Sequence, residues 1–110
     1  MTTISFGNLD SADFTPLLIG GDPSQSVGEE HWVKEGRVYF WRADATTCPQ
    51  TVPYPIAREE TVHVIEGSAV VTSGDERVEL RPGDVATFEK GAETVWEFTF
   101  PFQKVAVLSD

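Results

Sequence analysis

The sequence has little cysteine and no long apolar run, and each scarcity excludes a class of protein. Cys48 is the only cysteine among 110 residues. An internal disulfide and a multi-cysteine metal cluster are therefore excluded, and a reducing compartment is expected. No apolar run approaches the roughly 18 residues of a membrane-spanning helix, and the N-terminal segment lacks the basic start of a signal peptide. These features predict a cytoplasmic protein.

Basic residues are also scarce. Lysine and arginine number 8 against 18 aspartate and glutamate residues, which gives a formal net charge of -10. Nucleic acids and anionic membranes recruit proteins through a basic face, so we expect neither as a partner. The acidic surface indicates solubility and points to no particular partner. With 40% hydrophobic and 11% aromatic residues, the composition is that of an ordinary globular chain with one domain.

Short β-prone runs separated by turn residues fill the chain from Val38 onward, and no window shows helical periodicity. This pattern predicts an all-β protein, an antiparallel sandwich or barrel. Residues 1–30 are rich in Gly, Asp, Ser and Pro and predict an extended N-terminal arm or loop, followed by a β-domain over residues 31–110. The predicted strands are VYFWRA, TVHVIE, SAVVTS, RVEL, VATF, VWEFTF and KVAVL.

Several motifs in a fixed order make the chain resemble the cupin superfamily. They are the segment EETVHVIEG from Glu59 to Gly67, the turn RPGD at residues 81–84, and VWEF followed by QKVAVL. Each motif is common alone, but their order and spacing are specific, and they extend to Leu108. More narrowly, the chain resembles the short single-domain cupins grouped with the ureidoglycine aminohydrolase and ethanolamine-utilisation cupin domains. The resemblance implies a jelly-roll β-barrel, also called a double-stranded β-helix, with a small-molecule cavity between its sheets.

The resemblance also implies where a metal would be held. Metal-bearing cupins use two histidines separated by one residue, then a glutamate, and a third histidine from a second motif. Those positions fall here on Tyr54, Ile56, Glu60 and Thr94. Three of the four ligands are thus replaced, and a lone carboxylate does not hold a catalytic metal, because such sites normally supply three protein ligands. We therefore predict no metal and no other cofactor.

Two histidines remain that could substitute for the missing ligands. His63 has strand parity opposite to that of Glu60, so its side chain is expected to point away from the cavity. His31 lies close to the predicted arm, and the sequence leaves its position open. The prediction of a metal-free barrel requires that neither His31 nor His63 lies close enough to Glu60 to share a metal with it.

Without a cation, Glu60 is a carboxylate inside an apolar barrel. Burial would raise its pKa unless a positive partner opposes it. Arg58, two residues away, is the predicted partner, whereas Lys104 is interpreted as a solvated residue at a strand end. The predicted ligand-binding residues are Tyr54, Ile56, Arg58, Glu60, Thr94, Trp96 and Phe98.

The predicted function is binding of a small organic molecule in the barrel, without a metal; the fold does not fix the specific function. The alternative is an isomerase-like, epimerase-like or aminohydrolase-like cupin enzyme with Glu60 and Tyr54 as acid and base, and possibly with a metal. Whether the protein is an enzyme stays open at this point. Cupins of this size usually pair, so we predict a homodimer in which the segment before Val38 exchanges between subunits and covers a sheet edge.

Overall fold

A computed structural model of the protein describes residues 3–18, 21–22 and 24–110. These residues form eight β-strands and no α-helix, and every strand pair is antiparallel. The predicted all-β class is confirmed. The strands are β1 Thr15–Leu18, β2 Ser26–Lys34, β3 Val38–Ala43, β4 Thr51–Pro55, β5 Glu59–Ser73, β6 Glu76–Leu80, β7 Val85–Phe88 and β8 Glu93–Ser109.

Two long strands, β5 and β8, organise the fold because each takes part in two sheets. The first half of β5 pairs with the second half of β8, and this sheet has the order β1-β2-β3-β8-β5-β7. The second half of β5 pairs with the first half of β8, in a sheet of order β4-β8-β5-β6. The apolar faces of these two sheets form the core. The long strands therefore carry side chains from one sheet into the other.

Gly67 lies inside β5, where the sequence predicted a break between two strands. Its φ is 75°, and a Cβ at this position would lie 2.1 Å from the carbonyl oxygen of Pro101 in β8. The prediction of separate runs TVHVIE and SAVVTS is therefore wrong, because the glycine marks a bulge within one strand and not a chain reversal. Pairing is irregular between Val64 and Ser68, and the buried positions change parity there. The buried residues of β5 are Glu60, Val62 and Val64 before the bulge, and Ala69 and Val71 after it.

The sheet begins earlier in the chain than predicted. Strand β1 and the first half of β2 lie within residues 1–30, and the predicted boundary at residue 30 falls inside β2. Long-range pairing with β3 determines this structure despite the Gly and Ser content of the segment. Strand β4 was also not predicted. It contains Pro53 and Pro55, which are tolerated because β4 pairs only with β8 and is an edge strand.

Strand β8 supplies much of the core. Its residues alternate between buried and exposed positions, which confirms the predicted shared face of Trp96 and Phe98. Phe98 contacts Trp41 and Phe102, with ring centroids 5.2 and 5.0 Å apart. The buried residues of β8 are Thr94, Trp96, Phe98, Phe102, Lys104 and Ala106. In the described part of the chain, no helix has the length and apolar character needed to cross a membrane.

Candidate functional site

A cavity of about 180 Å³ lies between strands β1 to β3 with the second half of β8 on one side, and strand β4 with the first half of β8 on the other. All three tryptophans of the chain are among its lining residues. Pockets for drug-sized ligands are roughly 300–1,000 Å³, so this cavity fits a smaller molecule. The lining residues are Leu17, Val27, Glu30, Trp32, Tyr39, Trp41, Val52, Tyr54, Trp96, Phe98, Lys104 and Leu108.

The Glu60 carboxylate is fully buried and accepts hydrogen bonds from three side chains, two neutral and one charged. The Tyr39 hydroxyl donates to Oε2 at 2.7 Å, and the Tyr54 hydroxyl donates to Oε1. The Lys104 ammonium donates to Oε2 at 3.1 Å. Glu60 is not itself among the cavity-lining residues, whereas its three partners are. The carboxylate therefore orients two phenols and an amine that reach the cavity.

These contacts fix the charge states of the cluster. Burial alone would raise the pKa of Glu60, but Lys104 and the two phenols outweigh burial and hold its pKa below the ordinary value. Burial, followed by the charge of Glu60, raises the pKa of Tyr39 and of Tyr54. Burial also lowers the pKa of Lys104, and the attraction of Glu60 opposes this. At neutral pH the carboxylate is ionised and both phenols keep their protons.

Aromatic rings surround the Lys104 ammonium. Its Nζ lies 4.7 Å from the ring centroid of Trp96, 5.4 Å from those of Trp41 and Tyr54, and 5.7 Å from that of Tyr39. Separations of this size allow cation–π attraction. The amine is thus held at the cavity wall between one carboxylate and several ring faces.

Lys104, and not Arg58, is the positive partner of Glu60. Lys104 lies opposite Val64 in the pairing of β8 with β5, and it shares the inward parity of Trp96. Arg58 precedes β5; it donates to the carbonyl oxygen of Gly36 at 2.5 Å and pairs with Asp110 at 3.1 Å. The predicted solvated position of Lys104 is wrong. Counting its parity from Trp96 along one continuous strand would have placed it inside.

The structure brings most of the other predicted site residues together. Thr94 donates to the carbonyl oxygen of Tyr54 at 2.5 Å and accepts a hydrogen bond from the Trp96 indole at 3.1 Å. This bond fixes the Trp96 ring at the cavity wall beside Phe98. Ile56 is buried but does not line the cavity.

The sequence did not identify all of the residues at the site. Tyr39, which binds Glu60, and Trp32, whose ring lies 4.8 Å from that of Tyr39, were not predicted there. The available signal was the two-residue spacing of Tyr39 and Trp41, which places both on one face of β3, where they line the cavity, although Phe40 between them is also buried.

Comparison with known proteins identifies the family. Residues 33–106 match the family described as EutQ-like cupin domain. The chain belongs to this family of cupins. The predicted membership of the cupin superfamily is therefore confirmed. No curated protein has a sequence that matches this cupin.

Solved structures show the same fold. The EutQ protein of Clostridium difficile is 16% identical, with a TM-score of 0.69 over 97% of this chain and 96% of that protein. KdgF from Halomonas sp. is 17% identical, with a TM-score of 0.69 over 96% of this chain and 94% of that one. A DUF861 family protein from Thermotoga maritima is 25% identical, with a TM-score of 0.56 over 64% of this chain and 76% of that one. At 16 and 17% identity, the first two show the fold alone.

The residues at this site do not fit the metal that the cupin pattern implies. Within residues 3–18, 21–22 and 24–110, no group of three His, Cys, Asp or Glu side chains is placed to hold one. His63 is exposed, as its parity predicted, and His31 donates from Nδ1 to the carbonyl oxygen of Asp13 at 2.8 Å, where it stacks on Phe40. The ammonium beside Glu60 would also repel a divalent cation.

Proposed function

We propose that this cupin binds a small uncharged organic molecule with an apolar ring in its cavity, without a metal. The observation that carries the proposal is the cavity wall itself, in which aromatic rings surround an ammonium whose charge Glu60 already balances. Rings stack on flat apolar ligands. The remaining N–H groups of Lys104 offer a hydrogen bond to a ligand oxygen.

Charge favours a neutral ligand over an acid. Lys104 and Glu60 balance each other, and the half-buried carboxylate of Glu30 adds a negative charge to the lining. An anionic ligand would place a further negative charge in an apolar site and would lose its hydration there, which costs free energy. The described lining residues include no unpaired cation that would offset this cost. Glu30 instead accepts a hydrogen bond from a ligand hydroxyl or amine.

The three tryptophans provide the test, because they all line the cavity and their fluorescence reports its occupancy. The chain is titrated with phenol, benzyl alcohol and methyl glucoside, with and without EDTA and with added Mn²⁺. We expect a saturable change with phenol or benzyl alcohol, but not with methyl glucoside, that neither EDTA nor Mn²⁺ alters. No saturable change with any probe contradicts binding, and a change that requires Mn²⁺ contradicts the metal-free part.

A matched pair of variants locates the binding. Val52 lines the cavity, and Val52→Phe fills part of it. Val95 lies opposite Pro53, one position along the same β4–β8 pairing, with its side chain exposed. Val95→Phe therefore adds the same group outside. Affinity for the probe should fall at least about tenfold in Val52→Phe and stay unchanged in Val95→Phe, because overpacking a small pocket excludes its ligand. Equal affinities in the two variants contradict the proposed site.

Acid–base catalysis by Glu60 and Tyr54 is the less supported candidate. Glu60 does not line the cavity, so its carboxylate contacts Lys104, Tyr39 and Tyr54 and does not reach a substrate proton directly. The raised pKa of Tyr54 keeps that phenol protonated. Both groups are better suited to holding Lys104 in place than to moving a substrate proton.

A further inference from the structure

Lys104 is the one lysine of three that lies inside the protein, as Lys34 and Lys90 are both exposed. We propose that Lys104 is a nucleophilic amine that condenses reversibly with the carbonyl group of a small uncharged aldehyde or ketone held in the cavity. This inference rests on the binding function proposed above and adds a covalent step to it. The product is an iminium group on Lys104.

The position of the amine carries the proposal. Lys104 lines the cavity, and its Nζ lies 4.7 to 5.4 Å from the ring centroids of Trp96, Trp41 and Tyr54, which line it as well, so a bound carbonyl carbon can approach the nitrogen. One N–H points to Glu60, and the side chain of Lys104, with aromatic rings around its nitrogen, is only 6% exposed. Desolvation of an amine in such a pocket favours its neutral, nucleophilic form, and burial lowers the pKa of Lys104 accordingly.

Glu60 supplies the acceptor for the proton that the reaction must remove. Its Oε2 lies 3.1 Å from Nζ, within direct transfer distance. The Tyr39 and Tyr54 hydroxyls bind the same carboxylate and hold its position.

The step balances without any further reactant. The ammonium passes one proton to the Glu60 carboxylate, and the neutral amine adds to the carbonyl carbon to give a carbinolamine. The C–O bond then breaks. Two of the three protons of the starting ammonium, including the one that Glu60 returns to the nitrogen, leave with the oxygen as water, and the third stays on the iminium nitrogen. A carbonyl and an ammonium thus become an iminium and one water molecule. The iminium keeps the single positive charge opposite Glu60, so the buried pair stays neutral.

The surroundings select the carbonyl compound. The charged and titratable groups that face Lys104 are Glu60 from β5, Glu30 from β2, Tyr39 from β3 and Tyr54 from β4. Both carboxylates disfavour an acid, whereas an uncharged aldehyde or ketone leaves their balance unchanged. The rings suit an apolar body next to the carbonyl group.

The experiment uses the full chain and the other two lysines as internal references. Benzaldehyde is incubated with the chain at pH 7 in the presence of sodium cyanoborohydride, which reduces an iminium to a stable benzylamine, and the modified lysines are mapped by mass spectrometry. We expect Lys104 to be modified roughly tenfold faster or more than Lys34 and Lys90, since each unit by which a pKa falls raises the free-amine fraction tenfold. In urea, where the cavity is lost, the three rates should become equal.

A variant and an inert probe separate the two proposals. Lys104→Arg keeps a cation beside Glu60 but has no nucleophilic amine, so the folded variant should form no adduct in the cavity, while the exposed Lys34 and Lys90 are modified at the same rates as in the parent chain. If benzyl alcohol binds but Lys104 reacts no faster than the exposed lysines, the covalent step is overturned and the binding function stands. If benzyl alcohol does not bind and Lys104 is unmodified, both fail.

Discussion

Lys104 Nζ lies 3.1 Å from Glu60 Oε2, and the two side chains are only 6% and 1% exposed. This ion pair connects β8 to β5 at the centre of the fold. Removing one partner of a buried pair leaves an uncompensated charge and typically costs about 3–5 kcal/mol. The pair is therefore a stability element as well as part of the proposed site.

We expect Lys104→Met to lower the free energy of unfolding by about 3–5 kcal/mol, because it leaves the Glu60 carboxylate buried without its positive partner. Combining it with Glu60→Gln should cost less than the sum of the two single changes, by roughly 0.5–3 kcal/mol, because the two residues interact directly. Urea unfolding followed by tryptophan fluorescence measures all four proteins. Additive costs would show that the pair contributes no coupling.

The acid side of the pH-stability profile should depend on Glu60. Its pKa in the folded protein is lowered from the ordinary value of 4.5, because Lys104 and the two phenols outweigh burial. The unfolded chain therefore binds more protons at this site as the pH falls, and the stabilisation present above about pH 4.5 is lost below it. Glu60→Gln should flatten this part of the profile. Asp22 and Asp44, whose pKa values are also lowered, are present in both proteins, so an unchanged profile in the variant would count against Glu60.

The sequence predicted the fold well because its signals are local and redundant. Alternation in VWEFTF placed Trp96 and Phe98 on one face, and the turn residues separated most strands. The partner of Glu60 was missed for a physical reason. Sequence proximity favoured Arg58, whereas the pairing of two long strands brings Lys104 from 44 residues away. Treating Gly67 as a chain reversal hid the continuity of β5, and a similar break in β8 hid the inward parity of Lys104.

Arg58 should matter little to the cavity. Its guanidinium binds the carbonyl oxygen of Gly36 and the exposed Asp110, away from the lining. Exposed ion pairs contribute about 0–1 kcal/mol. Arg58→Ala should therefore leave probe binding by tryptophan fluorescence unchanged and lower stability by about 1 kcal/mol. A tenfold loss of affinity would restore Arg58 to the site.

A homodimer stays a prediction, and exposed apolar side chains support it. Val85 and Val107 are 63% and 45% exposed on the sheet that contains β5, β7 and β8, and Phe6 is 84% exposed in the N-terminal segment. Burial of such a face in a second copy would be favourable. Light scattering at micromolar concentration should give a dimer mass. The double variant Val85→Glu, Val107→Glu should give a monomer mass. The control variant Val78→Glu, on β6 of the other sheet, should still give a dimer mass. A monomer mass for the unmodified protein contradicts the prediction.

Gly67 should be the glycine that tolerates substitution least. A Cβ there would lie 2.1 Å from the Pro101 carbonyl oxygen and 2.8 Å from that of Thr99. Both are backbone atoms of β8, so no side-chain rotation relieves the clash, and φ is 75°. We expect Gly67→Ala to cost more than about 4 kcal/mol or to prevent folding.

Gly74 is the matched control, because its φ is also positive, at 59°, but nothing lies within 4 Å of a Cβ. Gly74→Ala should cost only about 1–2 kcal/mol, for the left-handed backbone alone. Urea midpoints compare the two variants, and equal losses would show that the close approach of β5 and β8 does not limit position 67.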